Sequence, residues 1–409
     1  MTPRRGPITR LSAAFQAFVA LESASTILLL GATILALVLA NSPLHDAYEH
    51  LLHLPLSLGI GSFSLEFSFK HFVNDVLMVI FFFVVGMEIK RELALGELSS
   101  PSRATLPVVA ALGGMLVPAA LYASLHRGGP AAGGWGIPMA TDIAFAVAAL
   151  GVFGTRVSSS LKIFLLALAI VDDIGAVLVI AVFYAKDLAP VWGGIAVSGL
   201  VACAVLDRLD VRSYGVYLLV GMVVWYATYR CGVHATIAGV ALGMLTPARP
   251  LAGREHPPVD ELMHLLHPWV AFAIMPIFAL ANAGVPLDAA SLGDPVAQRV
   301  AAGVALGLLV GKPVGVMLFA WLAVRSGVAQ LPRGVTWRQI AGVGLLAGIG
   351  FTMALFIAAL AFSETPVFEA GAKIGTLGAS VLATGFGLAV LAWTLPQAAR
   401  SKSEGSSLK

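Results

Sequence analysis

Long apolar runs separated by short polar connections recur along almost the whole chain. A membrane-spanning helix needs about 20 predominantly apolar residues. The pattern places such spans near residues 15–40, 72–89, 104–124, 136–153, 160–184, 190–206, 214–230, 233–246, 265–285, 300–324, 339–362 and 371–395. The eighth run is short, glycine-rich and almost continuous with the seventh, so we expect about twelve spans, with eleven or thirteen as alternatives. The pattern predicts an all-α polytopic membrane protein.

Composition and charge support this prediction and add an orientation. The chain is 58% hydrophobic and 11% charged, outside the usual range of soluble proteins. Lysine and arginine concentrate in cytoplasmic connections, and 18 of the 25 basic residues fall in the connections on one side, against six on the other. We therefore expect both termini in the cytoplasm, one integral-membrane domain over residues 1–409, and a flexible cytoplasmic tail at 396–409.

One long outside loop, residues 41–70, follows the first span. From Leu56 to Phe69 apolar positions alternate with small or polar ones, and the alternation breaks at Gly61-Ser62. Period-two alternation around such a pair predicts a β-hairpin. An exposed hairpin edge invites pairing with another copy, so we expect a homodimer contact through residues 54–70. A hairpin that packs on its own subunit explains the pattern equally well.

Two adjacent aspartates, Asp172 and Asp173, lie midway along the apolar run 163–184. Each carboxylate at the centre of a span opposes insertion by about 2.5–3.5 kcal/mol, and intramembrane charges are functional by default. Further polar candidates inside spans are Asp142, Thr141, Lys312 and Asp75. The alternative is a buried ion pair that joins helices. That alternative is equally good for Asp75 and Glu22, which lie nearer span ends.

Helix geometry separates the two adjacent acids. Neighbouring residues on a helix do not face the same neighbour, so one aspartate should face a cation site and the other a partner. Lys312 is the only basic residue in the middle of a predicted span. We assign Lys312 as the ion-pair partner of Asp172, solely because the two aspartate side chains point in different directions.

Glycine and proline crowd two of the predicted spans. Gly133, Gly134, Gly136 and Pro138 precede Asp142, and a second glycine cluster runs from Gly342 to Gly350. Two interrupted spans are the best sequence indication of the binding site of a secondary transporter. Broken helices leave partial charges at mid-membrane, which Asp142 and Lys312 can offset. Close helix packing is the alternative explanation for Gly342 and Gly344.

Several motifs together resemble the NhaA family of bacterial Na⁺/H⁺ antiporters. They run from the second span to the eleventh and are Gly86-Met-Glu-Ile-Lys-Arg-Glu92, Ala140-Thr-Asp-Ile-Ala-Phe-Ala146, Val171-Asp-Asp-Ile-Gly-Ala176, His267-Pro-Trp-Val270, Gly311-Lys-Pro313 and Gly348-Ile-Gly-Phe-Thr-Met353. The resemblance implies twelve spans in two inverted-topology repeats, with crossing broken helices at spans 4 and 11, an architecture already described for this family. It also implies a multi-pass protein of the bacterial cytoplasmic membrane and electrogenic exchange of Na⁺ or Li⁺ for H⁺, in pH and sodium homeostasis, without a cofactor.

The same resemblance assigns roles to individual residues. Asp173 would be the primary ligand of the transported Na⁺ or Li⁺, and Asp172 a second acid that also contacts Lys312. Asp142 and Thr141 would lie where the broken helices cross. The positions tied to pH response match Glu88, Arg91, Glu92, His264 and His267. Met263 departs from the family pattern, which has an acid before the first histidine, so the pH profile does not follow from the resemblance.

Exchange needs protons and Na⁺ to compete for the same oxygens. An ordinary aspartate titrates near pH 3.9, and burial raises a carboxyl pKa by up to about 3–5 units, which brings the competition to neutral pH.

A Na⁺-coupled organic-anion symporter is the alternative transporter, although it would need more polar side chains at mid-span. An enzyme is not expected, because the Gly-x-Gly-Asp motif of intramembrane aspartyl proteases is absent. A channel lacks its repeated selectivity segment, and the spacing of Cys203 and Cys231 suggests neither a disulfide nor a resident metal. The expected partners are Na⁺, Li⁺, H⁺, the bilayer and a second copy, with no nucleic acid.

Overall fold

The computed structural model describes residues 7–60, 63–211, 213–250, 256–287 and 293–396, with side chains described from residue 24 onward except at 58–65. Three sequence-based expectations fall outside these residues: the side chain of Glu22, the Gly61-Ser62 turn and the tail beyond Pro396. The helices are α1 Pro7–Ala40, α2 His45–Leu52, α3 Phe69–Leu95, α4 Pro101–Leu125, α5 Ile143–Gly151, α6 Ser159–Phe183, α7 Pro190–Arg208, α8 Tyr214–Cys231, α9 Thr236–Leu245, α10 Pro258–Asn282, α11 Pro295–Arg325, α12 Trp337–Ala347, α13 Phe351–Ala361 and α14 Pro366–Thr394. Short 3₁₀ turns cover Glu97–Ser99, Ala132–Met139 and Gly154–Arg156.

The described chain has eight helices that are long and apolar enough to cross a membrane, or ten if each of two bent pairs forms one span. The protein is therefore a multi-pass membrane protein. One bent pair, α12 and α13, turns by 45° at residues 348–350, and the other, α1 and α2, turns by 118°. The two remaining predicted spans correspond to α8 and to α9, which has only 10 residues. The count of twelve spans stays a prediction.

Three spans contain a π-helical turn that the periodicity did not predict: Val73–Leu77 in α3, Val270–Ile274 in α10 and Gly307–Gly311 in α11. Pro276 and Pro313 follow the second and third turns within two residues. A proline inside a helix removes one backbone hydrogen bond and displaces the preceding turn, and widened turns are a common accommodation. The turn in α11 lies immediately before Lys312.

The predicted hairpin is present. Strands β1 (Pro55–Ile60) and β2 (Phe63–Ser68) pair antiparallel, with Pro55 opposite Ser68 and Ile60 opposite Phe63. Phe67 is buried and its ring lies 5.9 Å from the ring of Tyr229 in α8. One face of the hairpin thus packs on its own subunit.

The loop before the hairpin contains a helix, α2, that the sequence reading missed. Its buried face includes Tyr48 and Leu52. The Tyr48 hydroxyl donates a hydrogen bond of 2.6 Å to the carbonyl oxygen of Leu280 at the end of α10. This hydrogen bond holds the loop that contains α2 against α10.

Small residues allow α4 and α11 to approach closely. A Cβ on Gly113 would overlap the carbonyl oxygen of Gly315, and a Cβ on Gly315 would overlap the carbonyl oxygen of Gly113. Helix association in lipid depends on such close backbone packing. The contact holds α4 against the turn of α11 that carries Lys312. Close packing also explains Gly342, where a Cβ would meet Leu391 of α14 at 2.7 Å.

A charged cluster joins the first turn of α3 to the start of α14. Glu369 pairs with Lys373 at 2.9 Å and with Lys70 at 3.1 Å, and the Glu369 side chain keeps only 13% exposure. Lys373 also lies 3.5 Å from the carbonyl oxygen of Gly284. One carboxylate therefore forms ion pairs with two ammonium groups in a largely buried position.

We expect Glu369→Gln to lower the free energy of unfolding by about 3 kcal/mol, the lower end of the range for breaking a buried pair, because Lys373 would lose its counter-charge. Thermal unfolding in detergent measures the loss. Glu364→Gln is the matched control, since the Lys186–Glu364 pair is as short, 2.7 Å, but lies in solvent with 57% and 81% side-chain exposure. Equal unfolding midpoints for the two variants would contradict a structural role for the cluster.

Candidate ion site

The two interrupted spans meet each other inside the protein. Residues 140–142 are extended between the 3₁₀ turn Ala132–Met139 and α5, and residues 348–350 separate α12 from α13. The amide of Asp142 donates to the carbonyl oxygen of Ile349 at 2.7 Å. The Thr141 hydroxyl lies 2.9 Å from the carbonyl oxygen of Ala347. Each break thus satisfies backbone groups that the other break leaves open.

Asp142 serves the beginnings of two helices. Its Oδ1 accepts from the amide of Phe145 at 3.2 Å and caps α5. Its Oδ2 accepts from the amide of Thr352 at 3.1 Å and from the Thr352 hydroxyl, in the first turn of α13. A carboxylate is favourable at a helix N-terminus because unpaired amides concentrate positive charge there. Here one carboxylate offsets two such ends.

Lys312 is fully buried and makes the predicted ion pair. Its Nζ lies 2.6 Å from Oδ2 of Asp172. The ammonium also donates to the carbonyl oxygen of Met139, the last residue of the 3₁₀ turn. The cation therefore faces both a carboxylate and a carbonyl left open by the break.

Thr141 links the ion pair to the breaks. Its hydroxyl lies 2.6 Å from Oδ2 of Asp172 as well as close to Ala347. A hydroxyl carries a single proton, so it donates to one of these oxygens at a time. Oδ2 of Asp172 therefore lies within hydrogen-bonding distance of two donors outside its own helix, the Lys312 ammonium and the Thr141 hydroxyl.

Among the described residues, Asp173 forms no ion pair of its own. It is 3% exposed, and its Oδ1 finds no hydrogen-bond donor in the described part of the protein. Oδ1 of Asp172 is likewise unpartnered there. Glu88 and Asp142 lie close enough to Asp173 to repel its charge. A second buried carboxylate beside a single lysine needs a further positive charge, since an uncompensated buried charge is strongly unfavourable.

The residues expected to respond to pH are only partly together. At the end of α3, Arg91 lies 3.5 Å from Asp260 and Glu88 lies 3.9 Å from His267, both on α10. Glu92 instead accepts the amides of Glu97 and Leu98 and closes the following turn. His264 is exposed and apart from these contacts. The sequence reading did not include Asp260.

Asp75 supports the alternative of a helix-joining pair. Its carboxylate lies 3.2 Å from Nε2 of His234, and its carbonyl oxygen accepts from the indole of Trp225 at 2.9 Å. The sequence pattern did not identify His234 as the partner of Asp75.

Thr352 was also missed by the sequence reading. It belongs to the quoted motif Gly348–Met353, where it is the one hydroxyl residue. A hydroxyl directly after a glycine-rich break, in a chain with an acid at a second break, is the sequence signal that could have identified Thr352.

We expect Lys312→Met to lower the free energy of unfolding by about 3–5 kcal/mol, because Asp172 would stay buried without its counter-charge. The double variant Asp172→Asn/Lys312→Met removes both charges and should recover most of that stability. Thermal unfolding in detergent measures both. Lys186→Met, at an exposed pair, is the control and should change little. A single variant as stable as the parent would refute the pairing.

Comparison with known proteins gives the family. The Na⁺/H⁺ antiporter 1 family matches residues 16–391. The chain is 44% identical to a Na⁺/H⁺ antiporter NhaA from Rhodopirellula baltica, over 96% of this chain and 97% of the relative. It is 46% identical to a Na⁺/H⁺ antiporter NhaA from Citrobacter koseri, over 90% and 95%, and 47% identical to a Na⁺/H⁺ antiporter NhaA 2 from Sorangium cellulosum, over 89% and 85%. This chain therefore belongs to the Na⁺/H⁺ antiporter 1 family.

Proposed function

We propose that this protein is an electrogenic secondary antiporter that exchanges cytoplasmic Na⁺ or Li⁺ for external H⁺ at Asp172 and Asp173. The observation that carries the proposal is the uneven charge of the buried site: two adjacent carboxylates lie near one lysine, which pairs with Asp172, and Asp173 forms no ion pair of its own among the described residues. A cation or a proton restores neutrality, but both do not fit the same oxygen at once. The named activity of the relatives, Na⁺/H⁺ antiport, agrees with this chemistry.

The ligand set suits a small hard cation. Hard cations prefer carboxylate, hydroxyl and carbonyl oxygens. The Thr141 hydroxyl contacts Oδ2 of Asp172 and the carbonyl oxygen of Ala347. Oδ1 of Asp172 and Oδ1 of Asp173 have no hydrogen-bond partner among the described residues. We assign Asp173 as the primary ligand, Asp172 as the second, and Asp142 and Thr141 as the groups that hold the crossing in place.

Charge balance makes the exchange electrogenic. With Na⁺ absent, Asp172 pairs with Lys312 and a proton neutralises Asp173. When Na⁺ enters between the two acids, Asp173 loses that proton, and Lys312 loses a second one as Asp172 turns from it to the ion. Two protons then leave for each Na⁺ bound, and the site carries one more negative charge. Exchange that ignores an imposed membrane potential would rule out this stoichiometry.

Architecture and orientation follow the same proposal. We place twelve spans in two inverted repeats in the bacterial cytoplasmic membrane, with both termini inside. Support comes from the basic residues, of which 18 of 25 lie in one set of connections, and from two interrupted spans that meet at the acids. Accessibility of single introduced cysteines to a membrane-impermeant thiol reagent tests the orientation.

The contacts between α3 and α10 suit a role in pH response. Glu88 interacts electrostatically with Asp173 and also lies near His267. A histidine changes charge in the physiological range, so its charge reaches the ion site through one carboxylate. We propose that Glu88, Arg91, Glu92, His264 and His267 adjust activity to pH. A pH profile of exchange left unchanged by His267→Gln would oppose this.

We expect Asp173→Asn to reduce Na⁺-dependent and Li⁺-dependent collapse of a pH gradient in everted vesicles to background, because an amide neither binds Na⁺ as a carboxylate does nor exchanges a proton. Asp46→Asn is the control: the same substitution in the exposed first turn of α2. Equal amounts of both proteins in the membrane show that insertion is intact. Substantial exchange by Asp173→Asn would remove Asp173 from its assigned role, and K⁺ serves as the inactive ion.

We further propose a homodimer through the 54–70 hairpin, because within the described residues each strand pairs only with the other strand, which leaves both outer edges open. Replacing residues 55–68 with a flexible glycine-serine segment should convert the dimer to a monomer in light scattering of the detergent-solubilised protein. Phe67→Ala, on the face that packs against α8, is the control and should leave the mass unchanged. A dimer that survives the hairpin replacement would place the interface elsewhere.

A further inference from the structure

An open cleft lies between the first turn of α12 and the last turn of α14. Its volume is about 470 Å³, and its lining is polar and aromatic: Thr336, Trp337, Arg338, Trp393 and Thr394. The guanidinium of Arg338 lies 5.1 Å from the centre of the Trp393 ring. Within the described residues this ring is the only recorded partner of Arg338. Its hydrogen-bond donors are therefore free to bind a ligand.

The segment of the chain that contributes Thr336, Trp337 and Arg338 to the cleft has only basic charges. From Pro295 to Ser363 the sequence contains no aspartate or glutamate. Arg325 ends α11, Arg333 lies in the connection to α12 and Arg338 is the second residue of α12, so three arginines lie in or next to the connection between these helices. Arg156 holds the wall of the cleft, since it donates to the carbonyl oxygens of Ala392 and Pro396 at the end of α14.

An apolar groove adjoins the cleft at Trp337, which lines both. The groove has a volume of about 540 Å³, runs between α11 and α12, and is lined by Pro313, Val314, Met317, Leu318, Trp321, Trp337, Ala341 and Leu345. From Trp337 to Leu345 the helix rises about 12 Å. This is close to half of the roughly 30 Å hydrocarbon core, so the groove has the depth of one leaflet.

We propose that cleft and groove together bind one anionic phospholipid. The phosphate lies on Arg338, in the bidentate geometry that a guanidinium offers to phosphate, and one acyl chain fills the groove. Trp337 and Trp393 mark the interfacial level at which such a head group lies. The excess of arginine selects an anionic head group over a zwitterionic one.

The two parts of the site exclude simpler occupants. A free phosphate would use the cleft and leave the groove without a role, and an apolar partner would not need the uncompensated arginine. A lipid with a charged head group and an apolar chain uses both parts, joined at Trp337.

Native mass spectrometry of the full-length protein tests this site, with phosphatidylglycerol and phosphatidylcholine added at equal concentrations. The parent protein should retain phosphatidylglycerol preferentially. Arg338→Gln should weaken that retention about tenfold or more, the loss expected when charge-assisted hydrogen bonds to a phosphate are removed. Ala341→Phe, which fills the groove without altering charge, should weaken it as well.

Arg230→Gln is the matched control. Arg230 also lies 5.1 Å from a tryptophan ring, that of Trp192, but at the end of α8 and away from the cleft and groove. It should leave phosphatidylglycerol retention unchanged. Equal retention of the two lipids by the parent protein, or equal retention by Arg338→Gln and the parent, overturns the proposal. Displacement by inorganic phosphate alone would indicate a simple anion site, and a change of oligomer mass in Arg338→Gln would indicate a second copy; either result also overturns it. None of these readouts depends on ion exchange, so they are independent of the proposed transport function.

Discussion

The buried pair between Lys312 and Asp172 is the interaction on which the rest of this structure depends. A buried ion pair is often no more stabilising than apolar side chains of the same size, so stability alone does not account for it. What the pair does is leave Asp173 as the uncompensated neighbour. Much of the local structure serves to put the lysine there: the π-helical turn Gly307–Gly311 precedes it, and the contact between Gly113 and Gly315 holds its helix against α4. The buried site thus has two carboxylates near one lysine, which is the charge imbalance on which the proposed exchange of Na⁺ for a proton depends.

Backbone polarity is the second constraint. Within a membrane every amide and carbonyl needs a partner, and irregular backbone is tolerated only where it is buried in protein or lines a cavity. Both breaks here meet that condition by contacting each other. Asp142 accepts hydrogen bonds from amides at the N-termini of α5 and α13, and Lys312 donates one to the carbonyl oxygen of Met139. The charged residues therefore stabilise the broken helices and are also the groups to which we assign the proposed exchange. A substitution at any of them alters both properties, so loss of exchange is interpretable only beside a measurement of stability.

The features that could be predicted from the sequence were those with a strong local cause. Long apolar runs indicated the spans, alternation around Gly61-Ser62 indicated the hairpin, and the single mid-span lysine indicated the partner of an aspartate. What was missed depends on tertiary contacts. Helix α2 is short and is held through Tyr48. The π-helical turns keep the apolar composition of an ordinary span, so periodicity does not reveal them. Thr352, His234 and Asp260 are important through partners more than 100 positions away in the chain, and one sequence alone does not show which distant residues meet.

Helix α12 connects the ion site to the lipid-facing surface. Its last turn has Ala347, whose carbonyl oxygen contacts Thr141, and Leu345, which lines the apolar groove. Two positions along an α-helix correspond to a rotation of about 200°, so these residues point to nearly opposite sides. The same turn therefore has the candidate ion site on one side and the groove proposed for an acyl chain on the other. Pro313 lines the groove directly after Lys312, so α11 has the same arrangement. Because α11 and α12 line the groove and also reach the crossing, we expect a change in the filling of the groove to act on both helices.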